Sequence, residues 1–317
     1  ILFVIMFILI LIFLFLDVYC KSEHNRTNNK LNYCSHPDCS MKNQHTLCAA
    51  SGKKSPKLYA SGMTTWMRYQ MLLLHNRYRD NIAMGLDAGQ PSSTNMRKMY
   101  WDYELEHSAH IWAQQCQKRH DECRNTFRFN VLQNMDVRPI VAKVTEAQLL
   151  DDAVGGWFSG ARVSPAESVF SFRLANCSGG CNTNWYSAAA WASTWRLGCS
   201  QAFCTNKQRS CSIKRTSLRS EASRPTRTTD NILRRTKFCT KASRQYDEYS
   251  SNNNEIKIAK VPKLIAYTFC NYGPAGNIDG FPIYEAGVPC TNCPQGTRCG
   301  DQKHRALCTV LGDPDLN

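Results

Sequence analysis

The 317-residue chain contains no His-Glu-x-x-His stretch and no Gly-x-Ser-x-Gly stretch. Neither a paired-histidine zinc helix nor a strand-turn-helix raising a nucleophilic serine is therefore encoded. Acid is scarce as well, with 25 Asp and Glu against 39 Lys and Arg, for a formal charge of +14. That excess does not spread over a folded face: residues 202 to 260 alone hold 14 basic and 5 acidic side chains. Few aromatics interleave with those charges, so base stacking is a poor fit and no nucleic-acid partner is expected. A full-length membrane span is missing too. The apolar run Ile1 to Leu16 falls short of the roughly 20 residues a span needs, and no stable span is expected. It suits a signal-peptide core, although the usual basic segment before it is absent and the chain opens at Ile1. Residues 1–22 are read as a signal peptide truncated at its start.

Cysteine is what the chain has in quantity. There are 17, an odd number, and removal of a signal peptide containing Cys20 leaves 16, all of which can pair in an oxidising compartment. The sequons at Asn25 and Asn176 fit the same route. Together they predict a secreted, extracellular glycoprotein without a cofactor.

Residues 23–62 form a cysteine-rich arm and linker, with Cys34, Cys39 and Cys48 in the arm and Lys53, Lys54, Pro56 and Lys57 in the linker. A domain is expected over 63–280. It opens at Thr64 with Met67, Met71, Leu74 and Tyr78 on one helical stripe, and continues with a second helix carrying Trp101, Leu105, Ala109, Trp112, Ala113 and Cys116 inward. Thr145-Glu-Ala-Gln148 matches a capping box that starts a third helix, with Leu149, Ala153 and Trp157 facing the core; Gly155, Gly156 and Gly160 blur its end. Ala188 to Leu197 and Leu264 to Cys270 read as buried strands. The basic stretch 202–260, whose Ser250 to Asn254 tract lacks periodicity, reads as a surface insert, and 281–317 as a disulfide-bonded tail. Helices and strands mixed in one cysteine-bonded core imply an α+β class, a three-layer α-β-α sandwich.

Few residues carry obvious chemistry. His107 and His110 share a helix face without a third ligand, and are read as solvated surface histidines. His75 is read as structural. Cys290-x-x-Cys293, with Cys299 and Cys308, has the outline of a zinc ribbon, but disulfides are the expected state outside the cell. Arg234, Arg235 and Lys237 mark the densest charge of the insert, a candidate polyanion contact.

Several segments converge on one family. His75-Asn-Arg-Tyr-Arg79, Asn95-Met-Arg-Lys-Met99, Trp101-Asp-Tyr-Glu-Leu105, Trp112-Ala-Gln-Gln-Cys116, Cys199 and Cys270-Asn-Tyr-Gly-Pro-Ala-Gly-Asn277 resemble the signatures of a CAP domain. His120-Asp-Glu-Cys123, Arg128 to Asn134, the N-terminal cysteine arm and Pro289-Cys290-Thr-Asn-Cys293-Pro294 resemble the arthropod antigen 5 branch. The resemblance covers roughly 32–200 and 262–308. It implies an α-β-α sandwich with a cleft, non-enzymatic roles, and a lipid, sterol, small amine or protein as extracellular ligand of a monomer. It further implies bridges from Cys34 to Cys48, Cys39 to Cys123 and Cys199 to Cys270. The family's usual partner for Cys116 has no counterpart, so Cys116 is free or joined to Cys177, Cys181, Cys204, Cys211 or Cys239. Of the two histidines and two acids many CAP clefts gather, the matching positions keep only His120. The others fall on Gln133, Gly160 and Trp185. One imidazole beside a neutral amide is too few donors for tight zinc binding, so no metal is expected. A metal-dependent hydrolase using His120 and a polyanion-binding adhesive protein working through the basic insert stand as the alternatives.

Overall fold

The computed structural model describes residues 31–317 apart from 88, 141–143, 176–181, 206–250, 253–254, 257–263, 301–302 and 314–317. The chain order is α1 (Thr46–Ala49), β1 (Leu58–Gly62), α2 (Thr65–Ala83), β2 (Tyr100–Trp101), α3 (Tyr103–Ala113), β3 (Leu132–Pro139), α4 (Glu146–Phe158), α5 (Asn182–Ala190) and β4 (Arg196–Thr205). After these come β5 (Ser251–Asn252), β6 (Glu255–Ile256), β7 (Leu264–Gly273), β8 (Thr297–Cys299) and β9 (Cys308–Val310). The main sheet runs β1-β4-β7-β3 with antiparallel neighbours, and β2 adds a short parallel pairing to β4.

Alternation along β4 and β7 makes three layers, because successive strand residues face opposite sides. Leu197, Cys199, Cys270 and Tyr272 join the core under α2, α4 and α5, while Ala202, Cys204, Tyr267 and Phe269 pack against Ala109, Trp112 and Ala113 of α3. Gly198 lets α3 lie close: a Cβ there would sit 2.2 Å from the Glu106 amide nitrogen. Among the described residues no helix is long and apolar enough to cross a membrane.

Thr64 caps α2, and Thr145 caps α4 through a reciprocal box with Gln148, each hydroxyl accepting from an otherwise unpaired first-turn N–H. Helix α4 runs through Gly155 and Gly156 to Phe158. Three expectations need correction. Trp101 is a strand residue, because the Asp102 carboxylate accepts from the Glu104 and Leu105 amides and starts α3 one residue later; Cys116 lies past the helix end, in a left-handed turn of φ 53°. Ala188 to Ala190 end α5 and are not strand. A short, fully buried apolar run is ambiguous by periodicity, and alanine favours the helix. Residues 202–205, expected to open the insert, finish β4, since Ala202 and Cys204 are needed in the core; 251–252 and 255–256 form a two-strand ribbon. The remainder of the insert lies outside the described residues.

The helix motif from His75 to Arg79 supplies a set of braces. Asn76 donates to the Met99 carbonyl and accepts from the Met99 amide, at 3.0 and 2.8 Å. Arg79, fully buried, spreads its guanidinium over the carbonyls of Arg97, Ala189, Trp191, Ala192 and Thr194. Burial pushes its pKa down to about 9, so it remains a cation at neutral pH. The tail is anchored likewise: β8 and β9 form a hairpin, and a buried Lys98–Asp313 pair at 2.8 Å, joined by the Tyr100 hydroxyl, holds its end.

Candidate functional site

His120 lies in the connection between α3 and β3, three residues before Cys123, which is bonded to Cys39 in the arm. Its Nδ1 is 2.9 Å from Oε1 of Gln133 on β3. The register sets Gln133 opposite Asn271 of β7, and its Nε2 donates to Asn271 Oδ1 at 3.0 Å; Asn271 Nδ2 donates in turn to the Leu105 carbonyl at 3.1 Å. A carbonyl can only accept, so the polarity of this relay is fixed from its buried end. It makes Gln133 Oε1 an acceptor and His120 Nδ1 the protonated nitrogen. Nε2 is left with its lone pair. Partial burial of the ring lowers the His120 pKa, with the Gln133 bond opposing and the Arg124 charge adding to the shift; water at the exposed residue tempers it.

This arrangement accepts one hydrogen bond or offers one ligand atom. It cannot pass a proton inward, because Gln133 and Asn271 are neutral amides without a titrating group. Gly160 is buried in the turn 159–162 after α4 and contributes no side chain. Trp185 of α5 packs half-buried against the opposite core, and Asn134 Nδ2 donates to its carbonyl at 2.9 Å. Gln133 and Asn134 face opposite sides of β3, so His120 and Trp185 attach to different faces of the sheet. Among the described residues no hydrogen bond or ring contact joins them. Asn271 was not singled out from the sequence; its signal was a polar residue between Cys270 and Tyr272 on a strand that otherwise reads as buried.

His75 and His110 serve the scaffold, whereas His107 does not. His75 is buried, with Nδ1 donating to the Met71 carbonyl at 2.7 Å and Nε2 accepting from the Tyr272 hydroxyl at 2.9 Å. His107 is exposed, as a solvated residue should be. His110 is not: it is half-buried, 3.1 Å from Ser200 Oγ and 2.8 Å from Gln114 Nε2, because α3 turns that edge toward β4.

Among the described residues, disulfides join Cys34 to Cys48, Cys39 to Cys123, Cys116 to Cys204, Cys199 to Cys270, Cys290 to Cys299 and Cys293 to Cys308. Cys290, Cys293 and Cys308 are the one group of three or more metal-type donors there, and disulfides already consume their sulfurs. Asn25, Asn176, Arg234, Arg235 and Lys237 lie outside the described residues.

Residues 72–213 match the model of the Cysteine-rich secretory protein family, also called CAP. A venom allergen 5 of Rhynchium brunneum is 30% identical over 179 residues, which cover 51% of this chain and 73% of that protein. The chain belongs to the cysteine-rich secretory protein family. A second CAP relative, a venom allergen 5 of Lycosa singoriensis, is 26% identical over 294 residues, covering 89% of this chain; the chain spans 62% of that protein's length. Among solved structures, Na-ASP-1 superposes with a TM-score of 0.50 at 22% identity, over 78% of this chain and 48% of that one, a likeness of fold.

Proposed function

We propose that this CAP protein acts outside the cell as an antigen 5-like binding or effector protein and performs no catalysis. The observation that carries the reading is the amide partner of His120: its Nδ1 meets the neutral Gln133 Oε1, and among the described residues no carboxylate is hydrogen-bonded to the ring to take a proton or complete a metal shell. Six disulfides among the described residues support an oxidising destination, and the resemblance to venom allergen 5 proteins supports a role in venom, saliva or body fluid. A lipid, sterol, small amine or protein, met by the loops and cleft of a monomer, is the class of ligand proposed.

The test is hydrolysis of peptide, ester and phosphoester substrates by purified protein, with and without zinc. No turnover is expected. Robust turnover that disappears in a His120→Ala variant would overturn the reading. The outward lone pair of His120 Nε2 favours one rival, a metal-dependent hydrolase. Retention of one zinc per chain after dialysis decides for that rival, and its absence against it.

A further inference from the structure

In the tail, sulfurs of two separate bridges crowd together. The Sγ atoms of Cys290, Cys293 and Cys308 lie within 4.8 Å of one another, although Cys290 is bonded to Cys299 and Cys293 to Cys308. Both sulfurs of the second bridge therefore already stand beside a sulfur of the first. The strand register adds the complementary neighbour: β8 pairs antiparallel with β9 and sets Cys299 directly opposite Cys308, so both side chains leave the same face of the hairpin. Opposed residues of an antiparallel pair are about 4.5–5.5 Å apart at Cα, inside the range a disulfide spans. Cys199 and Cys270, opposed in the same way on β4 and β7, are bridged at a Cα separation of 4.0 Å. The four tail cysteines thus have two pairings within reach, the one present and Cys290–Cys293 with Cys299–Cys308.

The two present bridges differ in access. Cys299 is exposed and Cys290 half-buried, whereas Cys308 is 1% exposed. Arg298 precedes Cys299, and the Arg305 carbonyl lies 3.4 Å from the Cys299 sulfur; both arginines are exposed, and their charge favours an approaching thiolate. An external thiol therefore meets the Cys290–Cys299 bridge first, at Cys299.

We propose that the tail is a thiol–disulfide exchange site for a small extracellular thiol, and that exchange there converts one pairing into the other. The thiolate attacks Cys299 Sγ; a mixed disulfide forms and the Cys290–Cys299 bond breaks, with Cys290 leaving as a thiolate. Cys290 then attacks Cys293 Sγ, closing Cys290–Cys293 and releasing Cys308 as a thiolate. Cys308 attacks Cys299 Sγ, closing Cys299–Cys308 and expelling the external thiolate unchanged. Each step breaks one sulfur–sulfur bond and forms one, so there is no net oxidation or reduction. The present bridges both tie the loop of Cys290 and Cys293 to the β8–β9 hairpin, and that loop is held to the body by the Asn292 amide donating to the Thr94 carbonyl at 3.1 Å. The alternative bridges close the loop on itself and the hairpin on itself. Exchange thus uncouples hairpin from loop, while Cys308 keeps its backbone bonds to Met96 and Lys98. No step involves His120, so the proposal stands or falls independently of the binding reading.

The probe is glutathione with glutathione disulfide, applied at neutral pH to the folded full chain, quenched with acid, alkylated and mapped after trypsin. Cleavage after Arg298, Lys303 and Arg305 parts Cys299 and Cys308 from each other and from the stretch carrying Cys290 and Cys293. The present pairing joins 299–303 to 306–317 only through that stretch; the alternative joins them directly, in a species without it. The direct species is expected, and Cys299 should carry at least about tenfold more glutathione than Cys199 or Cys204, which are buried. A double variant, Cys290→Ser with Cys299→Ser, removes the exposed bridge and should slow exchange at Cys293 and Cys308 about tenfold or more. Circular dichroism confirms its folding, and the wild-type map decides the question should the variant fail to fold. Absence of the direct species, glutathione on Cys299 without it, exchange spread equally over all bridges, or an unchanged rate in the folded variant overturns the proposal.

Discussion

Acid should weaken this protein through His75, and the size of the effect follows from its surroundings. The ring is fully buried between Met71 and Tyr272, with one nitrogen donating and the other accepting. Burial, reinforced by the Arg79 charge, lowers its pKa from 6.5 to about 4. The unfolded chain therefore takes up a proton near 6.5 while the folded chain refuses it until about 4, so the unfolded state binds more protons throughout that window. Stability is complete above the upper limit and is lost progressively as pH falls toward the lower one. Each tenfold difference in proton affinity between the two states is worth about 1.4 kcal/mol, so the loss amounts to about 3 kcal/mol. The perturbation is His75→Gln, which removes the titrating group and keeps a polar side chain. The assay is guanidinium chloride unfolding with disulfides intact, near neutral pH and near pH 4. His45, His110 and His120 are also lowered by burial and add losses of the same sign, but they do so in both proteins. The difference between the two acid losses isolates His75. Wild type should lose about 3 kcal/mol more than the variant. Equal acid losses would refute the account.

Arg79→Met should destabilise the fold by about 4 kcal/mol in the same unfolding assay. The carbonyls of Arg97, Ala189 and Thr194 lose their donor, whereas those of Trp191 and Ala192 keep a backbone amide, and a buried unsatisfied acceptor costs about 1–3 kcal/mol. A loss under about 1 kcal/mol would show that the guanidinium is not the brace described. Replacing Cys116 and Cys204 together by serine removes a bridge across 88 residues and should cost about 4 kcal/mol, read as a lower denaturant midpoint. An unchanged midpoint would mean that the other bridges already hold these ends.

The parts of the fold legible from sequence are those written locally. Thr64 and Thr145 announce helix starts because a hydroxyl and the first-turn amides are neighbours in the chain, and the stripe of Met67, Met71 and Leu74 reports its buried face directly. The errors fall where local signals compete. Asp102 as a cap overrules the apolar spacing that would have drawn Trp101 into α3, and the buried run at the end of α5 is ambiguous by periodicity although its alanines favour the helix. The same division governs the candidate site. That Gly160 and Trp185 offer no ligand is evident from residue identity alone. That His120 is locked in one tautomer is not, because the lock runs from Gln133 to Asn271 across 138 residues and exists only through the register of β3 with β7. A substitution of Asn271 would therefore reach His120 without touching it: Gln133 would lose the partner that fixes its amide orientation, and the imidazole would be free to present either nitrogen. At this edge of the fold the orientation of His120 is set at a distance, since the polarity of the relay through Gln133 and Asn271 is fixed by the Leu105 carbonyl and both intermediates are neutral amides.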